Sequence, residues 1–188
     1  MPELGANGHL PPGRYRTSLE EVQARFVDHD QFVNSATRRD IWQGFQDYLA
    51  AWLLAEEKAD VGPVLQLVWL AGSFISGKLN PDDLDVTPVI DRRALVEAQT
   101  HRRSKALKRL IGHRTGIVER FKVEPFVLEW EPVASTLRPT AVGSSARDYL
   151  ERRGSLDDWW QRLRAPGPKG PSTEEEAPPR RGYLEVAP

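Results

Sequence analysis

Residues 69–86 read WLAGSFISGKLNPDDLDV, and this stretch decides how the chain folds. An apolar run ends at Gly72-Ser73, and after nine intervening residues the acidic residues Asp83 and Asp85 open a second apolar run. Short apolar runs bounded by Gly and Pro predict buried β-strands. Because side chains two residues apart on a strand share a face, we expect Asp83 and Asp85 to project together.

This acidic pair requires a compensating cation, because two neighbouring carboxylates repel each other. Mg²⁺ suits the site, since it prefers oxygen ligands and also accepts phosphate oxygens. Gly72 permits a sharp turn or a close approach to a ligand. A helical turn beginning at Ser73 would offer backbone N–H groups to a phosphate, and Lys78 would add a positive charge. Together these residues predict a metal-assisted phosphoryl-transfer site.

Composition limits the class of protein. A chain of 188 residues is long enough for one domain with a core. Its 26 basic and 27 acidic residues give no global charge argument for nucleic acid or membrane binding. The absence of cysteine excludes disulfides, thiolate catalysis and cysteine-bound zinc. With neither a signal-peptide pattern nor an apolar run near the roughly 20 residues of a membrane span, we expect a soluble cytoplasmic protein with no membrane partner.

The order of predicted elements is helix, helix, strand, strand, helix, strands and helices. It predicts an α+β fold in which a small mixed sheet is flanked by helices, with helical N- and C-terminal extensions. We expect residues 1–16 to be irregular, residues 17–165 to form the domain, and residues 166–188 to be a flexible tail rich in Pro and Glu. The apolar RGYLEV near the C-terminus is suited to docking back onto the domain. Residues 116–130 are expected to form one or two strands broken by Pro125.

The spacing apolar-Gly-Ser, nine residues, Asp-apolar-Asp-apolar resembles the motif of DNA polymerase β-like nucleotidyltransferases. In this chain the motif consists of Ala71-Gly72-Ser73 and Asp83-Leu84-Asp85-Val86. The stretch looks most like the small bacterial minimal nucleotidyltransferases of toxin–antitoxin and defence loci. The motif covers about 20 residues, and the elements around it extend the resemblance to roughly residue 130.

The resemblance also implies a third carboxylate on a later strand, which would complete a two-metal site. Glu124 best matches the family pattern of an acidic residue between apolar ones. Glu129 is the rival, and Glu119 is a weaker candidate because Arg120 follows it. The family more often has Asp at this place, and Pro125 is unusual in a central strand.

A magnesium-dependent nucleotidyltransferase is therefore the function that the resemblance implies. It would use two Mg²⁺ ions to move a nucleoside monophosphate from a nucleoside triphosphate such as ATP to a hydroxyl group. The acceptor would be a protein or a small molecule, and less readily a tRNA end given the near-neutral charge. The implied catalytic metal ligands are Asp83, Asp85 and Glu124, and the implied nucleotide contacts are Gly72, Ser73 and Lys78.

Two other interpretations stay open. In the first, the chain is a weakly active or inactive nucleotidyltransferase-fold module that regulates a toxin or defence partner protein. In the second, it is a structural protein with a coincidental motif. The first is favoured by the unusual third acid and by the tail.

Overall fold

The computed structural model describes residues 1–101, 103–134, 143–164 and 171–188. Within these ranges the chain forms one six-stranded sheet and six α-helices, which confirms the predicted α+β class with a mixed sheet. The strands are β1 (Gly13–Arg16), β2 (Leu65–Ala71), β3 (Leu84–Asp91), β4 (Val123–Pro125), β5 (Leu128–Trp130) and β6 (Gly182–Val186). The helices are α1 (Leu19–Phe26), α2 (Arg38–Ala59), α3 (Arg92–Thr100), α4 (Lys105–Gly112), α5 (Arg114–Phe121) and α6 (Ser144–Gln161).

The sheet has the order β1-β6-β2-β3-β4, and β5 also pairs with β3. Strand β2 is antiparallel to both of its neighbours, whereas β1 and β6 are parallel to each other and β3 is parallel to β4 and β5. The end of β2 therefore lies at the same end of the sheet as the starts of β1, β6, β3 and β4. We call this the carboxylate end, and it is defined by Gly72, Asp83, Asp85, Glu124 and Gly182.

Strands β4 and β5 are two parts of one interrupted edge strand, because both pair with β3 in a single register. The N–H of Phe126 donates to the carbonyl of Val86 at 2.8 Å, so the backbone groups of Val86 face this edge. Alternate residues of a strand face the same side, so Pro88 faces it as well and lacks an N–H to donate. The interruption at residues 126–127 fits this missing donor. Pro125 lies on an edge strand, where proline is tolerated.

Helix α2, with 22 residues, supplies a large part of the core through buried side chains such as Phe45 and Trp52. The carboxylate of Glu56 near its end accepts the N–H groups of Val64 at 2.8 Å and Leu65 at 2.7 Å. This buried acid is thus satisfied by the chain that enters β2. No helix among the described residues is long and apolar enough to cross a membrane.

Helix α6 covers the face of the sheet that carries Asp85. The indole N–H of Trp160 donates to the hydroxyl of Thr87 at 2.8 Å, and Tyr183 donates its hydroxyl proton to Asp157. Thr87 lies two residues after Asp85 on β3, so the two side chains share this face. The site residues therefore belong to the face that α6 covers.

The prediction that residues 116–130 are entirely strand and loop is wrong for the first part of that stretch. Residues 114–121 form α5, in which Ile117 and Phe121 are buried four residues apart. The ring of Phe121 packs against Tyr48 of α2 with centroids 5.7 Å apart. Glu119 would share their face in a strand but is exposed, so the burial pattern is helical rather than alternating.

The expected domain boundaries, 17–165, also need correction. Residues 13–16 of the segment predicted to be irregular form β1, and residues 182–186 of the predicted flexible tail form β6, which inserts between β1 and β2. All five residues of β6 are buried. A strand this apolar gains more from pairing on both sides than from hydration. Residues 166–170 of the tail lie outside the described residues.

Candidate active site

The carboxylate end brings both parts of the sequence motif together. Strand β2 ends at Ala71, directly before Gly72, and its partner β3 begins at Leu84. Asp83 and Asp85 thus flank the first residue of β3, and Asp85 pairs with Ala71 across the two strands. The loop between them returns the chain to the sheet next to the point where it left.

Glu124 is the candidate third carboxylate that lies beside this pair. In the parallel register of β3 and β4 it pairs directly with Asp85, and neighbouring strands are about 5 Å apart. The charge of Glu124 acts on Asp85. Glu129 instead pairs near the far end of β3 and lies 4.0 Å from Nε of Arg92. Glu119 is exposed on α5.

Gly72 is required by two features of the backbone and its surroundings. Its φ of +74° lies in the left-handed region, which side chains disfavour. A Cβ atom at this position would lie 1.7 Å from Oδ2 of Asp85. Any side chain at position 72 would therefore displace the Asp85 carboxylate, so the glycine allows that group to lie against the end of β2.

The carboxylates accumulate negative charge at this end of the sheet. Burial, followed by the nearby charges of Asp83 and Glu124, raises the pKa of Asp85 to about 7, while the charge of Arg181 acts in the opposite direction. At neutral pH and with no cation bound, this carboxyl group is therefore partly protonated. A cation with oxygen ligands would replace that proton.

The side chains at this site are of the type that Mg²⁺ prefers, although in this structure they do not surround a common metal position. Glu124 is ion-paired with Arg114, whose guanidinium stacks over the ring of Phe126 at 4.4 Å. No set of three His, Cys, Asp or Glu side chains within the described ranges is arranged to hold a metal ion. The candidate donors are nonetheless all carboxylate oxygens, which Mg²⁺ prefers as ligands. A divalent cation would also compensate the negative charge that Asp83 and Glu124 place beside Asp85. Asp83, Asp85 and Glu124 are the residues that would hold it.

Arg38, the first residue of α2, fixes the loop that joins the two parts of the motif. Its guanidinium is buried and stacks over Phe32 at 3.6 Å. It donates at 2.6–2.8 Å to four carbonyl oxygens, which belong to Phe26, Phe74, Ser76 and Lys78. Burial lowers the pKa of Arg38 to about 10, so the group stays charged at neutral pH. Three of these carbonyls lie in the loop, which is thereby held in one conformation.

The structure does not bring Lys78 to the carboxylates. Its ammonium group is exposed and pairs with Asp82 at 3.0 Å, and the cation whose charge acts on Asp85 is Arg181. Ser73 follows Gly72 at the site, but residues 72–75 form a turn rather than the start of a helix. Its carbonyl accepts the hydroxyl of Ser76 at 2.7 Å, which closes the turn.

Sequence reasoning missed three arginines around the site: Arg38, Arg114 and Arg181. Arg38 and Arg114 are the first residues of α2 and α5. A cation is disfavoured at the positive end of a helix, so Arg38 near the start of the second predicted helix was an available signal of another role, whereas α5 was not predicted and Arg114 gave none. Arg181 directly precedes the apolar run of β6, which had been assigned to a flexible tail.

The fold and site define a mixed α+β protein with a cluster of carboxylates at one end of its sheet. The chain belongs to the family of unknown function DUF6932, whose model matches residues 2–186. That match includes β1 and β6, in agreement with a single unit built from both ends of the chain. Comparisons with curated proteins and with solved structures gave no significant match.

Proposed function

We propose that this protein is a magnesium-dependent nucleotidyltransferase. It would move a nucleoside monophosphate from a nucleoside triphosphate to the hydroxyl group of an acceptor. The observation that carries the proposal is the direct pairing of Asp85 with Glu124 next to Gly72, with Asp83 on the same strand end. Three acids and a glycine from distant parts of the sequence thus meet at one end of the sheet.

In the proposed reaction, the acceptor hydroxyl loses its proton to solvent and its oxygen forms a bond to the α-phosphorus of the triphosphate, while the bond from that phosphorus to the leaving pyrophosphate breaks. Mg²⁺ ions held by Asp83, Asp85 and Glu124 would supply charge neutralisation and a lowered pKa for the attacking hydroxyl. The protein would contribute the three carboxylates and the groups that position them. Gly72 leaves room for the Asp85 carboxylate, and Arg114 orients Glu124 through their ion pair.

The acceptor class follows from charge. A net charge of −1 provides no general attraction for a polynucleotide, whose binding depends on neutralised phosphates. A protein hydroxyl or a small-molecule hydroxyl is therefore the favoured acceptor, and a tRNA end is the less favoured one.

A labelling experiment tests this proposal. The protein is incubated with Mg²⁺ and each of ATP, GTP, CTP and UTP labelled at the α-phosphate, with and without cell lysate. We expect one nucleotide to label an acceptor and Asp83→Asn to abolish the labelling. Asp82→Asn is the matched control, because this neighbouring acid is exposed and pairs with Lys78 instead, and it should leave labelling intact.

Two results would contradict the proposal. The first is that no nucleotide labels any acceptor and Mg²⁺ does not change the melting temperature of the folded protein. The second is that Asp83→Asn and Asp82→Asn behave alike. Nucleotide binding without transfer would favour the regulatory module over the enzyme.

A further inference from the structure

The C-terminal strand brings a positive charge to the carboxylate end. Arg181 directly precedes β6, and its charge acts on Asp85. We propose that Arg181 binds the triphosphate of the nucleotide, so that the C-terminal segment completes the candidate active site. This inference rests on the proposed function and adds the residue that would recognise the phosphates.

The strand register places Arg181 at the right end of the sheet. Strand β6 runs antiparallel to β2, with Leu184 opposite Leu70. This pairing ends at Leu70 and Leu184, so Arg181, three residues before Leu184, lies at the end of the sheet where Gly72 and Ser73 follow β2. The segment is held there because the N–H of Gly182 donates to the carbonyl of Leu10 at 2.8 Å.

The same register places the Arg181 side chain on the face that carries the carboxylates. Glu185 pairs with Trp69, and Trp69 pairs with Thr87, so these three side chains lie on one face. Arg181 is four residues before Glu185, and Asp85 is two residues before Thr87. Alternation along each strand therefore puts both side chains on the face covered by α6.

The guanidinium of Arg181 has hydrogen-bonding capacity left for a ligand. Its Nε donates to the carbonyl of Trp160 at 3.0 Å, and within the described residues it forms no ion pair. Arg38, by contrast, donates to four carbonyl oxygens. A partly buried cation with one protein partner is suited to binding an anion from solution.

The chemistry of the neighbouring groups favours a phosphate as that anion. A triphosphate entering beside three carboxylates meets strong repulsion unless cations lie on both sides of it. Arginine presents a planar fork of N–H groups that matches two phosphate oxygens. Arg181 lies close to Asp85 without pairing to it, so it can contact the phosphates while the carboxylates hold the metal.

The test uses inorganic tripolyphosphate, which mimics the phosphate chain of every nucleoside triphosphate. Binding of tripolyphosphate with Mg²⁺ to the full-length protein is measured by calorimetry. We expect Arg181→Gln to weaken binding roughly tenfold or more, as for the loss of charged hydrogen bonds. Arg180→Gln is the matched control, because this exposed neighbour donates to the carbonyl of Glu175 and should bind like the wild type.

A second variant keeps the inference falsifiable if Arg181→Gln does not fold. Arg181→Lys retains the charge but loses the fork, so we expect weaker binding with an unchanged melting temperature. If Arg181→Gln folds, tripolyphosphate binding equal to that of the wild type would overturn the inference. If it does not fold, equal binding by the wild type and Arg181→Lys would overturn it. So would a folded wild type that binds no tripolyphosphate.

Failure of this inference can be told apart from failure of the proposed function. Transfer of nucleotides with a KM that Arg181→Gln leaves unchanged would overturn the role of Arg181 alone. Binding of tripolyphosphate through Arg181 without transfer of any nucleotide would support that role and count against the enzyme.

Discussion

Asp85 and Glu185 are two carboxylates on the same face of one sheet, separated by the single strand β2, and Glu185 is buried whereas Asp85 is partly exposed. Glu185 accepts from Nε of Arg16 at 2.8 Å and from the indole N–H of Trp69 at 3.2 Å, and lies 3.6 Å from Nε of Arg14. Asp85 has two further acids as neighbours, and burial together with those acids raises its pKa to about 7. A buried charge with matched partners stabilises the fold, whereas one without them is characteristic of a binding site.

Two arginines, Arg38 buried and Arg181 partly buried, differ in the same way. Arg38 is enclosed by four carbonyl oxygens and serves the conformation of the loop. The guanidinium of Arg181 makes one hydrogen bond among the described residues, to the carbonyl of Trp160, and its charge acts on Asp85. Asp85 thus has two acids among its neighbours, whereas Glu185 has matched hydrogen-bond and charge partners.

The largest effect is expected for Gly72→Ala. The new Cβ would lie 1.7 Å from Oδ2 of Asp85 on a backbone with φ of +74°, so the unmatched carboxylate has to move. We expect a loss of about 3 kcal/mol or more in the free energy of unfolding, measured in urea, and loss of the Mg²⁺-dependent rise in melting temperature. Gly62→Ala is the control, since nothing lies within 4 Å of its Cβ position. Retention of both properties by Gly72→Ala would contradict the close packing of Asp85.

Glu185→Ala removes the carboxylate that has matched partners. It leaves the buried indole N–H of Trp69 without an acceptor, whereas Arg14 and Arg16 stay partly hydrated. We expect the free energy of unfolding to fall by about 2 kcal/mol, with the Mg²⁺-dependent rise in melting temperature preserved. If the response to Mg²⁺ were lost in this variant, Glu185 would not be a purely structural acid.

The pH dependence of stability tests Asp85, the carboxylate that has two acids as neighbours. Because the pKa of Asp85 rises from its ordinary value of 3.8 to about 7 on folding, the folded protein holds this proton more tightly than the unfolded chain. The stabilisation is complete below about pH 4 and is lost as the pH rises through 7, amounting to at most about 4 kcal/mol.

Asp85→Asn removes this titration. In chelator, we expect the unfolding free energy of the variant to depend less on pH between 4 and 7, and to exceed that of the wild type at pH 8. Urea unfolding at several pH values measures both curves. Parallel curves for the two proteins would show that folding does not raise the pKa of Asp85.

The smallest effect is expected for Glu129→Gln. Glu129 is partly exposed and 4.0 Å from Nε of Arg92, a geometry that contributes little to stability. Thermal unfolding with and without Mg²⁺ should give wild-type values, with a change in unfolding free energy within about 0.5 kcal/mol. A variant that no longer responds to Mg²⁺ would identify Glu129 as the third ligand.

The acidic pair and the two strands around it were accessible from sequence. The alternation of a strand placed Asp83 and Asp85 on one face, and the apolar runs on each side of the motif became β2 and β3. The family pattern favoured Glu124 over Glu129, but which of them lies beside Asp85 was not accessible from the residues, because it depends on the register of β4 and β5 on β3. That register is fixed by pairing across about 40 residues, which no local pattern specifies.

The role of the chain ends was the main failure of the local patterns. A stretch rich in Pro and Glu precedes β6 and predicted disorder, although five buried residues follow it. The pairing of β6 with β1 and β2 joins positions about 170 and 115 residues apart, so it is set by tertiary packing. Arg181 was overlooked for the same reason, because its neighbours at the site are distant in sequence.

The most direct test of the account is where a divalent cation binds. Mn²⁺, which replaces Mg²⁺ and broadens nearby NMR signals, is titrated at substoichiometric amounts into ¹⁵N-labelled protein. We expect the amide signals of Gly72, Asp85 and Glu124 to broaden first in the wild type and in Glu129→Gln, and to stay sharp in Asp85→Asn. Broadening that is centred elsewhere, or that is the same in Asp85→Asn, would contradict the claim that these carboxylates form the metal site.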